Sequence, residues 1–249
     1  MARDKPTNFS PGGQERFATT HWSMVLAAGR SSSTRHEPAL STLCQTYWFP
    51  LYAYLRRHGH DAHQAADSTQ AFFAQMLDKD YLRKVKPKGG KFRSFLLTAL
   101  KHFVANERAR AAAKKRGGGR SVISLDFANA ETQYALEPAD DLTAERLFEK
   151  SWALTVLERT MERLAAELAS KGKQELFDHL RVYLAAEPSA IPYREVAAEL
   201  GMTEGATRVA VHRLRKRCGQ LLRDEIAQTV ADEEQIDDEI RGLFAALGG

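Results

Sequence analysis

The chain has 249 residues, 43% of them hydrophobic and 27% charged, with a formal net charge of +4. This composition is normal for globular proteins, and the length allows one large or two small domains with linkers. No apolar run approaches the roughly 20 residues of a membrane-spanning helix, and the N-terminal residues lack a signal-peptide core. Cys44 and Cys218 are too few for a disulfide framework. We therefore expect a cytoplasmic protein without membrane contact.

Helical spacing of apolar residues dominates, so we predict an all-α fold with two helical domains joined by a flexible linker. Residues 1–37 form a polar N-terminal segment with a short helix at Trp22–Ala28. Residues 38–116 form the first domain. It contains three predicted helices: about Ala39–His58, Ala62–Leu77 and Phe92 to about Ala113. We expect Pro50 to kink the first helix or break it in two, because a mid-helix proline removes a hydrogen bond.

Residues 117–141 are predicted to be the linker, in which only Ser121–Phe127 has the pattern of a brief strand. Residues 142–228 form the second domain, and its helices begin near Thr143. Residues 229–249 form an acidic C-terminal helix whose apolar side we expect to pack on its own domain. An alternative is that the acids of 232–239 fold back on a basic helix and compete with a polyanion.

A helical hairpin is predicted within Ile191–Arg217, where two short helices are joined at Gly201. Thr203 is a good N-cap for the second helix. One face of that helix is apolar, with Thr207, Val211, Leu214 and Cys218. The other face is basic, with Arg208, His212, Arg213, Arg215, Lys216 and Arg217. This pattern is typical of a DNA-binding helix-turn-helix, although an ordinary solvated hairpin would have a similar sequence.

Basic residues also dominate Tyr81–Asn106, which contains no acid. The helix predicted from Phe92 combines this charge with aromatic side chains. Phe95 and Phe103 could stack on unpaired bases, but aromatic residues at helical spacing are more often part of a core. Such a charge asymmetry favours a polyanionic partner for the basic segments.

Three stretches in this order are similar to motifs of one protein family: DSTQAFF (Asp67–Phe73), FRSFLLTALKHFVANERAR (Phe92–Arg110) and YREVAAELGMTEGATRVAVHRLRKR (Tyr193–Arg217). They resemble the extracytoplasmic-function (ECF) branch of the sigma-70 family of bacterial RNA polymerase initiation factors. The linker and the C-terminal tail look like a subgroup in which both are extended. The resemblance implies a protein that binds core RNA polymerase through the β′ clamp and the β subunit, recognises promoter DNA and helps to open it.

The resemblance also implies roles for particular residues. The −35 element would be read by side chains of the second hairpin helix: Arg208, His212, Arg213, Arg215 and Lys216. The −10 element would be read by polar side chains of the Phe92–Arg110 motif: Lys101, His102, Asn106, Arg108 and Arg110. Asp67 and Gln70 would contact the polymerase clamp.

The clamp-binding motif has fewer acids here than is usual in the family. Ser68 and Thr69 stand where apolar residues are common, and Asp67 is the acid that remains in the motif. A phosphate would restore about −1.5 to −2 charges. We therefore hypothesise that a Ser/Thr protein kinase activates the protein at Thr69 or Ser68. The alternative is a subgroup that tolerates fewer acids, with Thr69 half-buried in place of valine.

The other patterns favour no chemistry of their own. His58, His60 and His63 are spaced like metal ligands, but they fall on a helix end, a turn and the next helix start, with no cysteine nearby. Because no nucleophile or phosphate-loop motif is present either, we expect neither enzyme activity nor a cofactor or metal. Two other functions stay open. One is a two-domain regulator that binds operator DNA without polymerase, and the other is an interaction scaffold.

Overall fold

The computed structural model describes residues 37–76, 91–113, 127–135, 142–185, 192–230 and 232–248. These residues form ten α-helices and a short 3₁₀ helix at Glu233–Gln235. The α-helices are α1 (Glu37–Arg57), α2 (Ala62–Met76), α3 (Phe92–Ala113), α4 (Phe127–Ala135), α5 (Ala144–Ser170), α6 (Gln174–Leu180), α7 (Val182–Ala185), α8 (Tyr193–Glu199), α9 (Glu204–Ala227) and α10 (Ile236–Leu247). The predicted all-α class is confirmed for this part of the chain, where the only pairing of strand type is an isolated bridge between Lys91 and Val230.

Helix α1 continues through Pro50, so the prediction that proline could break it in two is wrong. The helix survives because it is the centre of the larger core. Tyr47, Leu51 and Tyr52 on both sides of the proline are completely buried. Burial on this scale outweighs the roughly 3 kcal/mol that a proline costs inside a helix.

Helix α4 lies inside the predicted linker, where no pattern in the sequence predicted a helix. It is fixed to α1 by polar contacts. Glu131 accepts hydrogen bonds from Arg56 Nε at 3.1 Å and Arg56 Nη2 at 2.7 Å, and another from the Tyr52 hydroxyl. Burial and the hydrogen bond to Glu131 raise the pKa of Tyr52. Residues 127–135 of the predicted linker therefore form a helix that is held against α1.

Helix α5 connects two hydrophobic clusters. Its N-terminal half, including Phe148 and Trp152, belongs to a larger cluster formed with α1, α2, α3, α4, the end of α9 and α10. Its C-terminal half, including Leu164, belongs to a smaller cluster with α6, α7, α8 and most of α9. Residues on both sides of the predicted linker thus contribute to the larger core. The division into two domains stays a prediction.

Several sequence predictions fall outside the described residues, among them the short helix at Trp22–Ala28 and most of the brief strand. The C-terminal helix is present as α10, and its apolar side packs on α5 and α9 through Ile236 and Leu243. Within the described ranges, none of the helices combines the length and the apolar composition needed to cross a lipid bilayer.

Candidate nucleic-acid interface

The hairpin of α8 and α9 is built around the turn that joins them. Gly201 has a φ of +62°, a left-handed conformation that glycine adopts without strain. The N–H of Met202 donates to the carbonyl oxygen of Ala197 at 2.8 Å, which closes the end of α8. Thr203 caps α9 as predicted, since its hydroxyl accepts from the N–H of Ala206 at 3.2 Å. The turn and the cap together set where α9 starts relative to α8.

The apolar side of α9 faces the protein as predicted. Thr207, Val211 and Leu214 are buried, and Cys218 is half-buried. Across from them, Val196 is buried on α8, and Tyr193 stacks on Tyr183 with ring centroids 4.9 Å apart. The opposite side of α9 consequently faces solvent.

The predicted −35 residues differ in whether their side chains bond to other groups of the protein. His212, Arg213 and Lys216 are exposed. Arg208 is also exposed and pairs with Glu204 one turn earlier at 2.6 Å, a weak local pair that exchanges readily. Arg215 is different, because its Nη2 and Nε donate to the carbonyl oxygen of Tyr183 at 2.7 and 3.0 Å. Arg215 is also exposed, and in this conformation it ties α9 to α7.

Arg217 holds the C-terminal part of α5 against α9. It donates to Glu167 at 2.7 Å through Nη2, and Lys171 donates to the same carboxylate at 2.7 Å. The hydrogen bond from Arg217, followed by that from Lys171, lowers the pKa of Glu167 to about 2. Beside this pair, α5, α6 and α9 enclose an open groove of about 650 Å³ with an apolar floor and basic residues at its rim. No pattern in the sequence predicted this groove.

The predicted −10 residues whose side chains the structure describes are exposed on α3. His102 and Asn106 are exposed, while the side chains of Arg108 and Arg110 lie outside the described part of the structure. Lys101 is exposed too, but its Nζ donates to Glu145 of α5 at 2.8 Å. The hydrogen bond from Lys101 lowers the pKa of Glu145.

The aromatic residues of α3 belong to the core. Phe95 and Phe103 are both partly buried and pack against the larger hydrophobic cluster. The Phe103 ring lies 5.8 Å from that of Phe72 in an edge-to-face arrangement. The core interpretation therefore fits both residues better than a role as stacking platforms.

The two phosphorylation candidates on α2 differ in how accessible their hydroxyl groups are. Thr69 is completely buried, and its hydroxyl donates to the carbonyl oxygen of Ala65 at 2.7 Å. A kinase cannot reach this hydroxyl while α2 is packed, which speaks against Thr69. Ser68 is half-buried and lines a surface depression beside the exposed Asp67, so it is the accessible candidate. Gln70 is half-buried on the same helix.

The three histidines form no common site. His60 places Nδ1 3.1 Å from the carbonyl oxygen of Leu55, and the His58 ring packs on that of Tyr54. Among the described residues no group of three or more histidine, cysteine or acidic side chains is arranged to hold a metal ion.

Comparison with known proteins assigns no family to the chain, because no family model, no curated protein and no solved structure matches it.

Proposed function

We propose that the protein is a transcription initiation factor of the ECF type, which binds core RNA polymerase in the bacterial cytoplasm and directs it to promoters. The single observation that carries the proposal is the capped hairpin of α8 and α9, whose second helix buries an apolar side and exposes a basic one. We interpret this hairpin as the helix-turn-helix that reads the −35 element.

The exposed side of α9 has dimensions that suit the major groove. Arg208, His212 and Lys216 recur every four residues, so they follow one side of the helix over about 12 Å, close to the width of the groove. Arginine is suited to bidentate contact with guanine, and lysine to a phosphate as a compact charge. We assign Arg208, His212 and Arg213 to base edges and Lys216 to the DNA backbone.

Helix α3 would act at the −10 element. Its exposed polar side, with Lys101, His102 and Asn106, provides positive charge and hydrogen-bonding groups for an opened strand. Asp67 on α2 would meet the basic surface of the polymerase clamp. In this role the protein performs no covalent chemistry, since it only positions polymerase and stabilises separated strands.

The proposal is tested by purifying the protein with core polymerase from its host and sequencing the DNA that the complex retains. We expect co-purification and run-off transcription from the retained promoters. In Lys216→Ala we expect weaker promoter binding and a salt dependence reduced by about one phosphate contact.

Arg241→Ala is the matched control. It removes the same charge from an exposed position on α10, where the partner is Asp238 on the same helix, and we expect it to bind like the wild type. If the protein instead binds duplex DNA alone as a dimer and never retains polymerase, it is an operator-binding regulator and the proposal is wrong.

A further inference from the structure

A valine lies at the centre of the solvent side of α9. Val209 is 49% exposed, whereas Thr207, Val211 and Leu214 on the opposite side of the helix are buried. At about 100° per residue, Val209 lies roughly 170° around the helix from the mean direction of these three buried residues. Its side chain therefore points away from the protein.

The stability of α9 does not explain a valine at this position. A single exposed apolar residue is common on protein surfaces. Valine is β-branched, however, and it favours a helix less than alanine does because it loses side-chain freedom. Burial usually offsets this cost, but half of the Val209 side chain is exposed. A contact with a partner would give the valine a role that the free protein does not show.

The neighbours of Val209 on the helix surface are the residues that we propose to contact DNA. His212 and Arg213 follow at the i+3 and i+4 positions and Lys216 at the i+7 position, and all three are exposed. Arg208 directly precedes it. Because the arginines and the lysine are cationic, the partner that suits this surface is a polyanion. A helix that places these side chains in the major groove would place Val209 there too.

The turn before Val209 leaves its methyl groups open to a partner. A helical side chain leans over the turn that precedes its own Cα, and for Val209 this turn contains Gly205. Gly205 is exposed, and a Cβ built at this residue would have open space around it. The open side of the valine consequently faces the start of α9, the part of a recognition helix that contacts base edges.

The chemistry of valine restricts what it can recognise in the groove. The side chain has no hydrogen-bond donor or acceptor, so it cannot pair with the nitrogen and oxygen atoms of the base edges. The apolar group that distinguishes the bases in the major groove is the C5-methyl of thymine.

We propose that Val209 is a specificity-determining residue, which selects a thymine in the −35 element by packing on its C5-methyl group. The inference rests on the proposed function and identifies one base of the element that α9 would read. Val209 precedes Arg213 by about 6 Å along the helix axis. The thymine therefore lies within about two base pairs of the base that Arg213 contacts.

The test removes the methyl group from the DNA. In a promoter that the polymerase complex retains, each thymine of the −35 region is replaced in turn by deoxyuridine, which keeps the hydrogen-bonding groups and lacks the C5-methyl. Promoter binding is measured for core polymerase with the full chain, as wild type and as Val209→Ala. The matched control is Val182→Ala, which makes the same change at a valine on α7 that is 39% exposed.

We expect one thymine at which deoxyuridine weakens binding by the wild type and by Val182→Ala about fourfold, the factor expected for burial of one methyl group. In Val209→Ala the same replacement should have no further effect, because the contact is already lost. This variant should fold, since alanine favours a helix more than valine does. It should also bind polymerase without promoter as tightly as the wild type.

Three results would overturn the inference. The first is a wild type that tolerates deoxyuridine at every thymine of the −35 region, and the second is an equal deoxyuridine effect in Val209→Ala. The third is a Val209→Ala that binds polymerase more weakly but keeps the deoxyuridine effect, which would assign Val209 to a protein interface. Failure of the proposed function looks different, because the wild type with polymerase would then retain no promoter at all, and the inference would be wrong with it.

Discussion

Glu239 of α10 is fully buried and accepts hydrogen bonds from Arg93 of α3 at 2.6 and 3.1 Å, with Lys91 Nζ at 2.9 Å. Arg93 also pairs with Glu149 of α5. Replacing Glu239 by glutamine tests this buried ion cluster through stability alone. Glutamine keeps the shape of the side chain but removes the charge that faces Arg93 and Lys91. Removing one member of a buried ion pair typically costs about 3–5 kcal/mol. The cost should be lower here, because Arg93 keeps Glu149, and Lys91 is 31% exposed and can turn to water. We expect a loss of about 2–3 kcal/mol.

The measurement is thermal unfolding by calorimetry, with chemical denaturation as a second probe. For a chain of this size, 1 kcal/mol shifts Tm by about 2–4 °C, so Tm should fall by about 4–12 °C. The matched control is Glu234→Gln, which changes an exposed acid just before α10. It should stay within about 0.5 kcal/mol of the wild type. If Glu239→Gln unfolds at the same temperature as this control, the cluster gives no net stability and the reasoning fails.

Two further predictions concern α2 and the hairpin. Thr69→Glu should lower the free energy of unfolding by about 4 kcal/mol or more, because it buries an unpaired carboxylate. Ser68→Glu should change it by no more than about 1 kcal/mol, both measured by denaturant unfolding. A stable Thr69→Glu would contradict the packing of α2. Glu167 has a pKa of about 2, held below its usual 4.5 mainly by Arg217. The stability that ionised Glu167 contributes to the folded protein should therefore be complete above pH 4.5 and vanish as the pH falls towards 2. The Tm difference between wild type and Glu167→Gln should shrink over that range, and a difference independent of pH would contradict the assignment; Glu162→Gln, exposed on the same helix, is the control.

Local signals in the sequence predicted the helices that carry the candidate interface. The bounds of α3 and the start of α9 at Glu204 follow from apolar spacing and from the Thr203 cap, which act within one or two turns. Helix α4 has no comparable local signal. It has nine residues, and its polar anchor is Arg56, 75 positions earlier in the chain. Short helices of this kind depend on tertiary contacts, which sequence spacing does not contain.

The same limit applies to the ion cluster. Arg93 and Glu239 are 146 positions apart, and both fall in segments whose charge appeared to face solvent. Nothing in a charge pattern tells which basic residue of one segment will meet which acid of another. The sequence could therefore predict an amphipathic C-terminal helix but not that one of its acids would be fully buried.

This pairing changes how the charge asymmetry of the chain is interpreted. The basic excess around α3 favours a polyanionic partner on sequence alone, yet Lys91, Arg93 and Lys101 all form ion pairs with acids of α5 and α10. A cation that is already paired must give up its carboxylate to bind a phosphate. It therefore adds to DNA affinity only the difference between the free energies of those two interactions. Pairing of these three residues inside the protein therefore weakens the attraction of α3 for DNA, whereas Arg213 and Lys216 on α9 remain exposed.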